Sequence, residues 1–169
     1  MNKSVSKALL TLIVAAEMTS TAVAAAEATY AVKLLTPETA LIAAQAALAH
    51  CRKAGHQVAV AVVDRSGVLQ VLLRDRFAGA HTPDVATRKA WTAASFRIPT
   101  ADLAAETQAG KSMSGIRSAP GVMAIGGGRV IEAGGTSFGG IGISGASGGE
   151  ADDACASAGI KAIADAIEF

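Results

Sequence analysis

The pattern of apolar and polar positions divides the first half of the chain into a helix and a hairpin. Residues 36–53 carry apolar side chains every three or four positions, after a threonine N-cap and a proline, which predicts an amphipathic helix. The run Val58–Asp64 is apolar on both sides and predicts a buried central strand. The turn at residues 65–67 then leads into a second predicted strand, Val68–Arg74.

The second half alternates helices with a glycine-rich sheet. A helix is predicted from Thr82, its N-cap, to about Ser95, and a shorter one from Thr100 to about Gln108. A last helix follows residue 150, with Ser147 as its N-cap. Between these helices, glycine clusters separate three apolar runs that predict a β-meander: Val122–Ile125, Arg129–Ala133 and Phe138–Ser144.

The predicted element order is α-β-β-α-α-β-β-β-α. Strands that come in hairpin-linked runs, with helices grouped around them, indicate an α+β fold with a five-stranded antiparallel sheet flanked by helices. A chain of 169 residues suits one such domain, which we assign to residues 27–169.

Residues 1–26 have the pattern of a signal peptide. Lys3 and Lys7 precede an apolar stretch at residues 8–16, and small residues at 21–26 offer a cleavage site. The alternative is a short amphipathic helix, since Glu17 interrupts the apolar stretch. We therefore expect a periplasmic or secreted protein with no membrane span after signal cleavage.

Charge and cysteine content narrow the function further. The net charge is only +1, and the basic residues are scattered along the chain rather than clustered. Together these two observations exclude a nucleic-acid-binding surface. Cys51 and Cys155 lie in the first and last predicted helices, and an oxidising compartment permits a disulfide between them. Two buried free thiols are the alternative that we favour from the sequence.

Two catalytic or nucleotide-binding motifs match in the wrong context. Residues 140–145 fit GxGxxG but lie inside a predicted last strand rather than between a first strand and its helix. Residues 145–149 fit GxSxG, yet all three histidines precede Ser147, so a hydrolase triad in the usual chain order is excluded. Gly139, Gly140 and Gly142 within a strand instead predict close approach of the backbone by a flat ligand or a second chain.

Four segments carry a family resemblance that covers residues from about Leu35 to Ile167. They are RDRFAGA (74–80), RKAWTAA (88–94), GGG (126–128) and IGISGA (141–146) followed by ADDACA (151–156). In combination they resemble the GlcG/HbpS family. The resemblance implies a small profilin-like domain, often a homo-oligomer, in a family with members that bind haem and are connected with haem sensing, storage or breakdown. A related module is fused to a corrinoid adenosyltransferase.

The residues also supply the chemistry that a haem site needs. His81 is the strongest available iron ligand, and Thr82 is a weaker oxygen ligand beside it. We expect cationic partners for the propionates and bare backbone for the macrocycle from these residues: Arg74, Arg76, Arg88, Arg117, Gly139, Gly140 and Gly142. The structural alternatives are a turn-supporting His81, an N-cap Thr82, and arginines that are solvated or paired with acids.

The sequence therefore favours an exported haem-binding protein that holds its ligand in a cleft near the glycine-rich sheet, between subunits. The alternative is an enzyme or enzyme accessory acting on a small organic acid, a tetrapyrrole or a corrinoid. In that case Asp75, Arg88 or Lys89 would take acid or base roles.

Overall fold

The computed structural model describes residues 27–168, so the predicted signal peptide lies outside the described residues. Every element named here lies in one compact unit of the chain, which begins at Val32. In chain order these are α1 (Pro37–Lys53), β1 (Ala59–Asp64), β2 (Leu69–Arg74), α2 (Thr82–Phe96), α3 (Thr100–Glu106), a 3₁₀ helix (Ser114–Ser118), β3 (Gly128–Ala133), β4 (Thr136–Ser144), α4 (Gly149–Lys161) and α5 (Ala164–Ile167).

The α+β class and the helix-flanked antiparallel sheet are confirmed, but the sheet has four strands rather than five. The predicted strand Val122–Ile125 is irregular, because side chains bind its backbone. The hydroxyl of Thr92 accepts a hydrogen bond from the Met123 amide at 2.9 Å, and the hydroxyl of Thr100 donates to the Ile125 carbonyl at 2.6 Å. With these groups already bound, the segment has less need of a partner strand.

The strand order is β2-β1-β4-β3, and every neighbouring pair is antiparallel. The two central strands are β1 and β4, and their register places Val60 opposite Ile143 and Val62 opposite Ile141. Since side chains alternate along a strand, the two faces of the sheet receive different residues.

One face of the sheet is covered by α1 and α4. Val60, Val62, Ile141 and Ile143 are fully buried there against small residues of the two helices. Cys51 of α1 and Cys155 of α4 form a disulfide, with Cα atoms 5.6 Å apart. The expectation of two free thiols was therefore wrong, because the two helices pack side by side within bonding distance.

The other face is covered by α2 and is built from small residues. Ala86, Ala90 and Ala94 recur at every fourth position and face Ala59 and Ala61 of β1. This spacing makes one narrow face of α2 smooth, so that the helix backbone comes close to the sheet.

Two helix starts differ in detail. Thr36 caps α1 as predicted, since its hydroxyl accepts a hydrogen bond from the Thr39 amide at 3.2 Å. By contrast, α4 begins at Gly149 with Gly148 at the N-cap position, so the prediction of Ser147 as N-cap was wrong.

Within residues 27–168, no helix combines the length and apolar character that crossing a membrane requires.

Candidate functional site

An open, cation-rich cleft lies where the end of α1 meets the loop that joins β2 to α2. It has a volume of about 720 Å³. We call it the arginine cleft and define it by its lining residues Arg52, Gln57, Arg74, Asp75, Arg76 and Phe77. Three guanidinium groups against one carboxylate give it a positive balance, which suits an anionic ligand.

Asp75 anchors the inner wall of the arginine cleft. It is only 3% exposed, and its backbone amide donates to the Val58 carbonyl at 2.9 Å, which fixes the end of β2 against β1. Arg52 of α1 donates to Asp75 Oδ1 through Nε at 2.7 Å and also through Nη2. The other carboxylate oxygen, Oδ2, is buried without a hydrogen-bond partner among the described residues. The pair ties α1 to the loop and keeps a guanidinium at the cleft.

Arg74, the last residue of β2, and Arg76, in the loop that follows, supply the other two guanidinium groups of the arginine cleft. Arg74 donates through Nη2 to the Ala78 carbonyl, which closes the loop on itself. The Arg76 guanidinium lies 5.8 Å from the centre of the Phe77 ring, and that ring is 79% exposed. Because guanidinium groups carry five N–H donors, Arg74 and Arg76 keep donors that a ligand can use. The exposed ring places an apolar surface beside these guanidinium groups.

His81 follows along the same loop, immediately before α2. Its side chain is exposed, and its imidazole lies against Gly79, where an added Cβ would come within 2.7 Å of Cε1. The imidazole is therefore accessible to a ligand, although His81 is outside the residues that line the arginine cleft.

Thr82 is placed differently from its neighbour. It is buried, and its hydroxyl donates to the Gly79 carbonyl at 2.8 Å. The predicted N-cap role was wrong, since α2 begins at Thr82 and His81 occupies the N-cap position without a side-chain cap. The hydroxyl is turned into the loop, which leaves His81 as the accessible group of the two.

Two of the predicted arginines lie outside the lining of the arginine cleft. Arg88 pairs with Asp84 at 3.0 Å on the exposed side of α2. Arg117 donates to the carbonyls of Ala104 and Thr107, both at 2.8 Å, and so binds the free carbonyls at the end of α3. The structure brings Arg74 and Arg76 together but keeps these two apart from them.

The three strand glycines admit protein rather than a flat ligand. A Cβ on Gly140 would lie 2.4 Å from the Ala90 carbonyl oxygen, and one on Gly142 would lie 2.1 Å from that of Ala86. A Cβ on Gly139 would lie 2.1 Å from the Val63 carbonyl oxygen. The expectation of bare backbone facing a ligand is therefore corrected: α2 and β1 occupy the space beside these glycines.

A buried ion pair joins α2 to α4. Lys89 donates through Nζ to Asp152 Oδ2 at 2.7 Å and to the Ile143 carbonyl at 2.9 Å, and both side chains are almost fully buried. Asp152 Oδ1 also accepts from the Ala146 amide at 3.0 Å. Because these contacts hold both groups inside the protein, the proposed acid or base role of Lys89 loses its access to a substrate.

Sequence reasoning missed three lining residues of the arginine cleft, Arg52, Gln57 and Phe77. The sequence held a signal only for Phe77, because an aromatic residue directly after three charged residues is more often exposed than part of the core. Among residues 27–168 the side chains of His, Cys, Asp and Glu form no group of three that could hold a metal ion.

Comparison with known proteins identifies the family. The model of the family described as haem degrading protein HbpS-like matches residues 35–161. The chain belongs to the HbpS-like family. A double mutant of HbpS from Streptomyces reticuli is 37% identical, with a TM-score of 0.75 over 90% of this chain and 97% of that one. The resemblance seen in the sequence is thereby confirmed.

Two further solved structures resemble this HbpS-like chain. PduOC in complex with haem is 31% identical, with a TM-score of 0.73 over 78% of this chain and 96% of that one. Protein ORFY of Klebsiella pneumoniae, at 24% identity and a TM-score of 0.78 over 81% and 95% of the two chains, shares the fold. The search of curated proteins gave no match.

Proposed function

We propose that this protein is an exported haem-binding protein of the HbpS-like family that holds haem at the arginine cleft. The observation that carries the proposal is that three guanidinium groups and an exposed phenyl ring meet in one open cleft. Haem is flat and apolar with two carboxylates, so it needs both kinds of contact. The family description and the PduOC complex support this ligand.

The described residues fit haem on one side. Arg74 and Arg76 are the candidate partners of the propionates, since Arg52 already binds Asp75. Phe77 offers an apolar face, and His81 is the candidate iron ligand because its imidazole is exposed in the same loop. Bound haem would supply an iron centre that can react with oxygen or peroxide, which would allow sensing, storage or slow breakdown.

The open side of the cleft supports a homo-oligomer as part of the proposal. Phe77 alone offers little apolar surface, so a second copy that covers the cleft would enclose the ligand. Apolar side chains are also exposed beside and along β2, an edge strand, at Val68, Leu69 and Leu72. Sedimentation of the purified protein with and without hemin measures this directly, and a monomer in both conditions would contradict it.

Export is supported by the disulfide, because such bonds persist mainly in oxidising compartments. Cell fractionation, with the mass of the recovered chain, tests it. Recovery from the periplasm or medium without residues 1–26 is expected, whereas an intact chain in the cytoplasm would contradict export.

Absorbance titration with hemin tests the ligand and its place. We expect a Soret band whose position changes in His81→Ala, and affinities about tenfold weaker in Arg76→Ala and in Phe77→Ala. Lys161→Gln is the matched control, since it removes an exposed charge at the end of α4. Absence of the band, or equal affinities in all variants, would contradict the proposal.

The same preparation separates haem binding from the other functions. Titration with a corrinoid tests the ligand class, and a corrinoid that binds more tightly than hemin would displace haem as the proposed ligand. Loss of the Soret band with ascorbate or peroxide, accompanied by a bilin product, is expected if the protein degrades haem. If the bound haem stays unchanged for hours, degradation is excluded, and storage or sensing remains as the proposed function.

A further inference from the structure

A second polar cavity lies at the other end of α2 from His81. It has a volume of about 280 Å³. We call it the hairpin cleft and define it by its lining residues Arg65, Arg97, Glu132, Gly135, Thr136 and Ser137. The turn between β1 and β2 supplies Arg65, the end of α2 supplies Arg97, and the β3–β4 hairpin supplies the rest. Three separate parts of the chain therefore converge on one small space.

The two arginines of the hairpin cleft differ from most others in having no protein partner. Five described arginines bind a carboxylate or a carbonyl, and Arg76 lies over Phe77; the five are Arg52, Arg74, Arg88, Arg117 and Arg129. Within residues 27–168, the guanidinium groups of Arg65 and Arg97 have no hydrogen bond or ion pair. With two unpaired guanidinium groups and one carboxylate, that of Glu132, the lining keeps a positive balance, which favours an anionic ligand.

The backbone of Arg97 adds a second, independent indication. It is in the left-handed region, with φ 57° and ψ 36°, and it is the one residue other than glycine with a positive φ in the described part of the chain. This position after a helix ordinarily favours glycine, so an arginine there costs free energy. The helix dipole favours a cation at a helix C-terminus, which could account for Arg97. It does not account for Arg65 or for the hydroxyl groups of Thr136 and Ser137 in the same lining.

The remaining lining groups define the ligand's chemistry. Thr136 and Ser137 offer hydroxyls that can donate to an oxyanion. The carboxylate of Glu132 has no cationic partner among the described residues and can only accept hydrogen bonds when ionised, so it calls for a donor on the ligand. We propose that the hairpin cleft binds a small oxyanion that also carries a hydroxyl group, either a phosphate monoester or a hydroxycarboxylate.

Calorimetric titration of the purified protein at constant ionic strength tests this site with glycerol 3-phosphate in one arm and malate in the other. Binding in either arm supports the site, and the tighter arm identifies the source of the oxyanion. Arg65→Gln and Arg97→Gly should each weaken binding at least about tenfold. Arg97→Gly should keep or raise the melting temperature without ligand, because glycine relieves the left-handed backbone.

Two controls separate a specific site from diffuse charge. Lys53→Gln removes one exposed positive charge at the end of α1 and should bind like the unaltered protein. Glu132→Gln should reduce the preference for glycerol 3-phosphate over methyl phosphate, which has no hydroxyl donor. Failure of both ligands to bind, or an equal loss in Lys53→Gln and Arg97→Gly, would overturn the proposal. Hemin binding should be unchanged in Arg97→Gly, so the haem proposal stands or falls separately.

Discussion

The two faces of the sheet are packed in different ways, and the contrast explains the glycine content of this protein. On the face toward α1 and α4, branched side chains such as Val60 and Ile141 fill the space, and a disulfide joins the two helices. On the face toward α2, Gly140 and Gly142 lie under helix backbone. The first face is held together by side-chain volume, whereas the second depends on the absence of side chains.

This difference bears directly on function. If α2 lies close to the sheet because of Gly140 and Gly142, its start is held rigidly, and with it the loop that carries Phe77 and His81. The glycines would then position the candidate site without touching a ligand. A site on a loop is more precise when the adjacent helix cannot shift.

The largest expected loss of stability follows removal of the disulfide that joins α1 to α4. Replacing both cysteines, as Cys51→Ala with Cys155→Ala, should lower the free energy of unfolding by about 5 kcal/mol, because the bond closes a loop with a sequence separation of 104. Denaturant unfolding measures the loss. The unaltered protein under strong reductant is the control and should approach the double variant, while an unchanged midpoint would show that the bond contributes little.

The second-largest loss of stability is expected when the buried ion pair between α2 and α4 is broken. Lys89→Met should cost about 4 kcal/mol, since it leaves the buried Asp152 carboxylate without its cation. Thermal and denaturant unfolding at neutral pH measure the loss. The double variant Lys89→Met with Asp152→Asn should recover part of it, and a single variant as stable as the unaltered protein would contradict the buried pairing.

A smaller but more diagnostic effect is expected on the glycine face. Gly142→Ala should cost about 3 kcal/mol, because the new methyl group would meet the backbone of α2 at Ala86. Gly115→Ala is the matched control, since a Cβ at that position has open space around it. Similar stabilities for the two variants would mean that α2 moves away at little cost. Hemin affinity should fall in Gly142→Ala if the start of α2 shifts.

The smallest loss of stability is expected from a substitution in β4 on the face toward α1 and α4, next to Gly142. Ile141→Val removes one carbon from the face toward α1 and α4 and should cost about 1 kcal/mol. The neighbouring Gly142→Ala adds one carbon on the opposite face. Denaturant midpoints of the two variants, measured side by side, should differ clearly, and equal losses would refute the contrast between the faces.

Much of the fold could be predicted from local patterns. Thr36 and Pro37 start α1 as expected, and the apolar run of β1 is buried on both faces of the sheet. The failure at Val122–Ile125 has a specific cause. Its short apolar run resembles a strand, but the hydroxyls of Thr92 and Thr100 bind its backbone. Nothing in the local pattern reveals partners that distant in sequence.

The candidate site was predicted only in part. Arg74 and Arg76 were found because they belong to the recognisable family segment 74–80, whereas His81 follows that segment and lies outside the lining of the arginine cleft. Arg52 was missed because its place at the cleft follows from the packing of α1 beside the end of β2, where it reaches Asp75. Arg88 and Arg117 were included by residue type, but Asp84 and the end of α3 engage them elsewhere.

The sequence by itself determined the family, the order of most elements and the need for close backbone approach at the strand glycines, because motifs, periodicity and glycine are local properties. The tertiary structure alone decided that α2 and β1 meet those glycines, that Cys51 and Cys155 are bonded, and which arginines share a cleft. Those outcomes depend on distances between residues far apart in the chain, and such distances are set only when the helices pack on the sheet.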